Sequence, residues 1–191
     1  MHFTKCVRID SGDFVSEAGL LQKGFREIEE LVTWERTPTV YPYESPMGVR
    51  KARLKDVYRC MKIAKVSFSH DRRHWDGKFP DWLADLSKMW TIGGGFFKPS
   101  QTIFVADRVG VAGFLLAVRE LFGVRIDLIA VDPLFRRRGI AENLIFKAMD
   151  HYARDGCPYI VAGTQAHNIA SCKLYESLGF VIGRRQRTFH K

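Results

Sequence analysis

The segment Ile126 to Ala141, IDLIAVDPLFRRRGIA, constrains this chain more than any other. It begins in a strand-like run, Arg125 to Val131, that Asp132-Pro133 stops, because proline has no N–H to give a sheet ladder. A tight basic turn follows, with Arg136, Arg137 and Arg138 in succession. A helix runs from Gly139 to Ala153, along which Ile140, Leu144, Ala148 and Tyr152 recur every four residues, with Ala141, Ile145 and Met149 beside them. The start of such a helix offers unsatisfied N–H groups and the positive end of the dipole. Gly139 and Ala141 carry little or no side chain, so an oxygen-rich ligand can approach the backbone between three arginines. These features read as a seat for a pyrophosphate. The plainer account is a solvated basic helix start beside a tight turn. The strand and Asp-Pro before it weigh against that account, as does the motif downstream.

The flanking segments complete an α/β pattern. Thr102 to Ala106 and Val109 to Val118 read as strands, and the second is apolar without alternation, as in a strand covered on both faces. Tyr159 to Ala162 is a further strand. Asn168 caps a helix from Ile169 to Leu178, Gly179 stops it, and Phe180-Val181-Ile182 begins a last strand. Upstream, Arg50 to Leu54 reads as a strand, Asp56 to about Phe68 as a helix, and Pro80 to Trp90 as a helix broken by Gly93-Gly94-Gly95. Residues 1 to about 45 read as strand, helix, strand, with the helix ending at Gly24, and the prolines between Thr37 and Pro46 mark a linker. The division expected is a short N-terminal lobe over 1–45 and one main domain over 48–191. GLLQKGFREIEELVTWER and KLYESLGFVIGRRQRTFH share a grammar of helix, Gly-Phe and strand. Two ordinary helix–Gly–strand turns explain that echo, as does an N-terminal lobe that is a vestigial partner of the C-terminal domain.

Composition narrows the function. Lys and Arg number 30 against 21 Asp and Glu, a net charge of +9, which suggests an anionic partner. No helix-turn-helix, aromatic RNA-binding or zinc-finger pattern accompanies that charge, so nucleic acid is not the expected partner. The longest apolar run, ten residues from Val109 to Val118, is shorter than a membrane span, and no apolar leader follows Met1, so the expected location is the cytoplasm. Cys6, Cys60, Cys157 and Cys172 form no C-x-x-C pair, and His70 and His74 lack a third ligand at close spacing, so no metal is expected.

Arg136, Gly139 and Ala141 fall on the fixed positions of R/Q-x-x-G-x-G/A, the coenzyme A-binding motif of the GNAT superfamily of N-acetyltransferases, and NIASCKLYESLGF, Asn168 to Phe180, resembles its second signature. The resemblance covers roughly residues 48 to 191. It implies a GNAT fold, a mixed central sheet with a splayed strand pair flanked by helices, and acetyl-coenzyme A as co-substrate. The splayed strand would be Leu128 to Val131, with Ile129, Ala130 and Val131 along the pantetheine arm and Tyr159 to Gly163 opposite. Arg136, Arg137, Arg138, Gly139, Ile140 and Ala141 would hold the pyrophosphate, and Asn168 would add a contact beside its capping role. Tyr175 stands where the superfamily often has its general acid, and a core tyrosine is the other reading. Asp127 is the candidate base, alongside an ion-paired aspartate as the plain reading and His167 with a water chain as another source of the base.

GTQAHNIASCKLYESLGF with the aromatic–His pair Phe189-His190 looks like the dTDP-fucosamine acetyltransferase group, whose members also carry a lobe before the GNAT core. Ser67 to Trp90 resembles their substrate region more loosely. That resemblance implies a nucleotide-linked amino-deoxy sugar as acceptor. Arg72 and Arg73, with His74, would hold its diphosphate and Trp75 would stack on a base or sugar; a basic helix-to-loop surface explains them equally. A homodimer is compatible with this reading. The alternatives are a GNAT enzyme acting on another small amine or a protein N-terminus, and a basic, non-catalytic, nucleic-acid-associated module of GNAT-like fold.

Overall fold

The computed structural model describes residues 5–41, 48–67, 91, 93–94 and 98–191. The chain divides into two compact units, Thr37–Val161 and Met1–Arg36 with Ala162–Lys191. The fold is of the α/β class, as expected.

In the first unit, β3 (Val49–Lys51), β4 (Gln101–Asp107), β5 (Val111–Arg119) and β6 (Val124–Val131) pair in that order, each antiparallel to the next. Strand β5 is apolar from Val111 to Val118, and buried from Val111 to Ala117, because both its faces are covered. Phe114 and Leu116 share a cluster with Cys60, Ile63 and Ala64 of α2 (Val57–Ser67). On the opposite face α3 (Ile140–Arg154) buries Ile140, Leu144, Ile145, Ala148, Met149 and Tyr152. Gly113 belongs to that face, and a Cβ there would meet Ile140 Cγ2 and the Ala130 carbonyl oxygen, each at 3.0 Å. The missing side chain lets the first turn of α3 lie close on the sheet.

Some boundaries differ from the sequence expectation. Strand β5 starts at Val111, because Gly110 turns the chain at φ 95° and leaves Val109 in the solvent. Strand β3 ends at Lys51 rather than Leu54, and Leu54–Asp56 is a 3₁₀ turn: Asp56 accepts a bond from the Arg53 N–H at 2.7 Å, which closes the chain before α2. Arg50 donates to Asp56 and to Asp107, tying β3 and the start of α2 to the end of β4. Thr91, Gly93 and Gly94 are helical, where Gly93-Gly94-Gly95 was expected to be a break. The proposed helix over 80–90 lies outside the described residues.

The second unit contains a duplication. Its strands run in the order β1 (Cys6–Asp10), β8 (Val181–His190), β2 (Arg26–Arg36), β7 (Ile160–Gln165). Two nine-residue helices, α1 (Phe14–Gln22) and α4 (Ile169–Ser177), connect β1 to β2 and β7 to β8. The cap, helix and stop of the first strand–helix–strand recur 155 positions later (179 − 24 for the stop glycines). Asp13 and Asn168 cap the helices by accepting from the N–H of Ser16 and Ser171, each at 3.1 Å. The N–H groups of Phe25 and Phe180 return to the carbonyls of Leu20 and Tyr175, each at 3.0 Å. Gly24 and Gly179 take φ of 77° and 72°, the left-handed turn that ends a helix in this way.

The two copies face one another across β2 and β8, antiparallel from Arg26↔His190 to Glu35↔Val181. The pair Leu31↔Gln186 lies at the centre and maps onto itself. The bulges fall at Ile28 and Gly183, equivalent positions of the two copies. The bonds from Ser11 N–H to the Arg185 carbonyl (2.9 Å) and from Ala166 N–H to the Glu30 carbonyl (2.8 Å) are likewise a matched pair. This unit therefore has a local pseudo-twofold axis. The echo in the sequence is a structural repeat.

Candidate active site

The end of β6 and the start of α3 form a continuous device in the first unit. A register shift between Leu116 and Ala117 leaves Asp127 as the extra residue of β6, and such bulges turn side chains out of the regular alternation. Asp127 is held in an ion pair with Arg125, which also binds Glu120 at 2.7 Å. Its carboxylate is therefore already shared with a guanidinium. Ile129, Ala130 and Val131 follow, opposite Leu115, Phe114 and Gly113 of β5. Residue 159 precedes β7, and its carbonyl accepts from the Val124 N–H at 3.1 Å.

Asp132 governs how the chain leaves β6. Its N–H donates to the Ala112 carbonyl at 2.9 Å, its own carbonyl accepts from Phe135 at 2.8 Å, and Oδ1 accepts from the Leu134 N–H at 2.9 Å. The turn beyond alternates in handedness. Arg137 has φ 60° and Gly139 φ 73°, while Arg138 between them stays on the negative side. Such an alternation directs successive N–H groups toward one concavity, a backbone arrangement that suits an anion. It continues into α3, a fifteen-residue helix whose first N–H groups have no partner within the helix. Gly139 is needed for its dihedral more than for space, since a Cβ there would meet nothing nearer than 3.6 Å.

The three arginines are all exposed but not equivalent. Arg136 folds back, its Nε donating to the Val131 carbonyl at 3.2 Å, and Arg138 lies over the Phe135 ring at 5.6 Å. Ile140 is buried under the helix and Ala141 is half-buried beside the turn. Asn143 was missed by the sequence reading. Its Nδ2 donates to the Gly139 carbonyl at 2.8 Å, alongside its backbone N–H at 3.0 Å, so two donors hold the last left-handed residue. The spacing Gly-x-x-x-Asn was the available signal. The geometry fits a pyrophosphate: alternating backbone, helix start and cationic rim converge on one turn.

Tyr175 and Asn168 belong to the second unit. Tyr175 is 2% exposed, with its ring 5.4 Å from Phe180 and 6.3 Å from Trp34, and burial raises its phenol well above the ordinary tyrosine range. It is protonated at neutral pH, as an ordinary tyrosine is, and burial makes that proton harder to release. Asn168 caps α4. Arg72, Arg73, His74 and Trp75 lie outside the described residues. Among the described residues no three His, Cys, Asp or Glu side chains gather as metal ligands, and no helix is long and apolar enough to cross a membrane.

The sequence model of the acetyltransferase (GNAT) family matches residues 57–180. The spore coat polysaccharide biosynthesis protein SpsD of Bacillus subtilis is 25% identical over 136 residues, covering 71% of this chain and 47% of SpsD. Human N-alpha-acetyltransferase 30 is 42% identical over 60 residues, covering 31% of this chain. The chain thus spans about half of SpsD's length, and the match covers 17% of the human protein's. A GCN5-related N-acetyltransferase from Sphaerobacter thermophilus shares the fold over 98% of this chain and 59% of its own, with a TM-score of 0.73 at 18% identity.

Proposed function

The chain belongs to the acetyltransferase (GNAT) family, and we propose that it transfers acetyl from acetyl-coenzyme A to the amino group of a nucleotide-linked amino-deoxy sugar. The observation that carries the cofactor is the alternating turn at 137–139 running into α3. Arg137, Arg138, Gly139, Ile140 and Ala141 would hold the pyrophosphate, with Arg136 and Asn143 keeping the turn in shape. Ile129, Ala130 and Val131 would line the pantetheine arm, and Asn168 would add a contact from the cap of α4. When bound, acetyl-coenzyme A supplies a thioester as acyl donor.

Catalysis then needs a base for the amine and an acid for the departing sulfur. Tyr175 is the proposed acid. Its phenol carries a proton at neutral pH, and the departing thiolate must take it against the burial that disfavours the phenolate. Asp127 is the proposed base, working from the bulge in β6 with Arg125 sharing its carboxylate. Arg72, Arg73 and Trp75 are the proposed acceptor contacts: two cations for a diphosphate and a ring for a base or sugar.

The similarity to SpsD, a polysaccharide biosynthesis protein, supports a sugar acceptor. The similarity to N-alpha-acetyltransferase 30 supports a second reading, a protein N-terminus. Thiol release from acetyl-coenzyme A separates them. A dTDP-4-amino-4,6-dideoxyhexose should give a higher kcat/KM than the free amino sugar, spermidine or N-terminal peptides, because the remote diphosphate helps hold the amine in line. Peptides outperforming every sugar nucleotide would move the assignment to the second reading. Acetyl-coenzyme A should raise the melting temperature of the wild type and not of Gly139→Val. No shift in the wild type at millimolar ligand removes the cofactor assignment.

A further inference from the structure

Arg59 stands on the first turn of α2, outside the motif that defines the pyrophosphate turn. Its guanidinium spans two elements. Nε donates to the Val111 carbonyl, the first residue of β5, at 3.0 Å, and Nη2 reaches Asp132 Oδ2 at 2.5 Å. The Asp132 carboxylate is thereby divided: Oδ2 takes Arg59 from α2, and Oδ1 takes the Leu134 N–H from the turn. Arg59 is thus the side chain that fixes the carboxylate about which the turn is folded. Its side chain is 41% exposed while that of Asp132 is 13% exposed, so the pair is shielded mainly on the Asp132 side.

We propose that Arg59 is a positioning residue for the coenzyme A site, setting through Asp132 the angle at which residues 133–139 leave β6. This rests on the cofactor reading above. The physical argument concerns orientation. The Asp132 backbone is anchored by its bond to Ala112, but its side chain can rotate about Cβ. Arg59 removes that freedom and presents Oδ1 to Leu134 in one direction. The alternation at Arg137 and Gly139 begins three residues beyond Leu134, so a swing of this first bond displaces the donors that face the ligand. Binding of a multi-point ligand is sensitive to such preorganisation.

The test is calorimetric titration of coenzyme A into the full chain, beside acetyl-coenzyme A kinetics. Arg59→Ala should weaken coenzyme A about tenfold and raise the KM for acetyl-coenzyme A in step, with the KM of the acceptor unmoved. Arg59→Lys should recover less than half of the loss on a logarithmic scale, because one ammonium cannot serve Val111 and Asp132 with the fork of a guanidinium. Asp132→Asn keeps an acceptor for Leu134 and should itself weaken binding; added to Arg59→Ala it should cost less than twofold more, since both act through one contact. An unchanged Kd in Arg59→Ala, with or without a fall in melting temperature, overturns the proposal, as does full additivity of the two substitutions. If Arg59→Ala does not fold, Arg59→Lys and Asp132→Asn decide, and wild-type affinity in both overturns it. Failure of the wild type to bind coenzyme A would strike the functional reading instead.

Discussion

The two strand–helix–strand copies, residues 6–36 and 161–191, have one backbone and two chemistries. Caps, helix lengths, Gly-Phe stops and bulges coincide, yet few side chains do. Where the C-terminal copy buries Tyr175 on α4, the N-terminal copy has Leu20, and α1 buries nothing fully. Leu20 has no proton to give. The outer strands differ as sharply. In β7, Ile160, Ala162 and Thr164 are buried, while β1 has no buried residue and alternates Arg8 and Asp10 into solvent. Asp10 is held there by Arg184 at 2.6 Å, and charge of this kind discourages further pairing at an edge. The difference teaches that the backbone of this motif is specified by a few cap and turn residues, which leaves the remaining side chains of each copy free to diverge.

The largest expected contrast is catalytic. Tyr175→Phe should lower turnover by about 10²–10⁴, the scale of a lost general acid, with coenzyme A affinity little changed. Leu20→Ala at the equivalent place should lower stability by about 1–2 kcal/mol, as for a half-buried leucine, and leave turnover per folded molecule alone. Steady-state kinetics beside urea titrations separate the two, and equal kinetic losses would break the contrast.

The helix stops should behave alike, with a graded difference. Gly24→Ala and Gly179→Ala each force an alanine into left-handed backbone, a cost of about 1–2 kcal/mol. Gly179→Ala should cost more, because its Cβ would lie 3.3 Å from Arg36 Nη1, whose donation to the Leu178 carbonyl holds that guanidinium in place. At Gly24 the nearest atom is the flexible Lys191 Cε at 3.9 Å. Arg36 and Lys191 are themselves equivalent positions, so Arg36→Lys should bring the two glycine substitutions closer together in chemical denaturation.

The smallest contrast is at the caps. Asn168→Ala should cost about 1 kcal/mol at any pH, since an amide does not titrate. Asp13 does titrate, and the Ser16 hydroxyl and then the Ser16 N–H hold its carboxyl below the ordinary 3.8. A depressed folded-state value means that its stabilisation is full above the unfolded value and is lost as pH falls through the folded one. The stability difference between wild type and Asp13→Asn should therefore shrink as pH falls from about 5 to about 2, while that between wild type and Asn168→Ala stays level. Parallel pH profiles would deny the asymmetry.

Local grammar was legible in the sequence because it acts over a few residues. Asp132-Pro133 ends β6, Asn168 caps α4, Gly24 and Gly179 stop their helices, and the apolar run of β5 announces two covered faces. The turn before α3 was partly legible for the same reason: Arg136 to Ala141 is contiguous, and a glycine at a helix start suits the left-handed backbone at Gly139, whereas that at Arg137 has no such local signal. Three-dimensional neighbours at long separation were not. The echo of Gly-Phe became a pseudo-twofold only when β2 paired with β8, since nothing local tells a strand which partner it will find 155 positions away (179 − 24). Asp127 looked like a strand carboxylate until the bulge and Arg125 set its surroundings. Arg59 was one basic residue on a helix until packing brought it to Asp132, 73 positions on. Dihedral preferences and caps are properties of neighbouring residues in the chain, whereas ion pairs, bulge registers and strand partners arise only when burial of the apolar faces forces distant segments together.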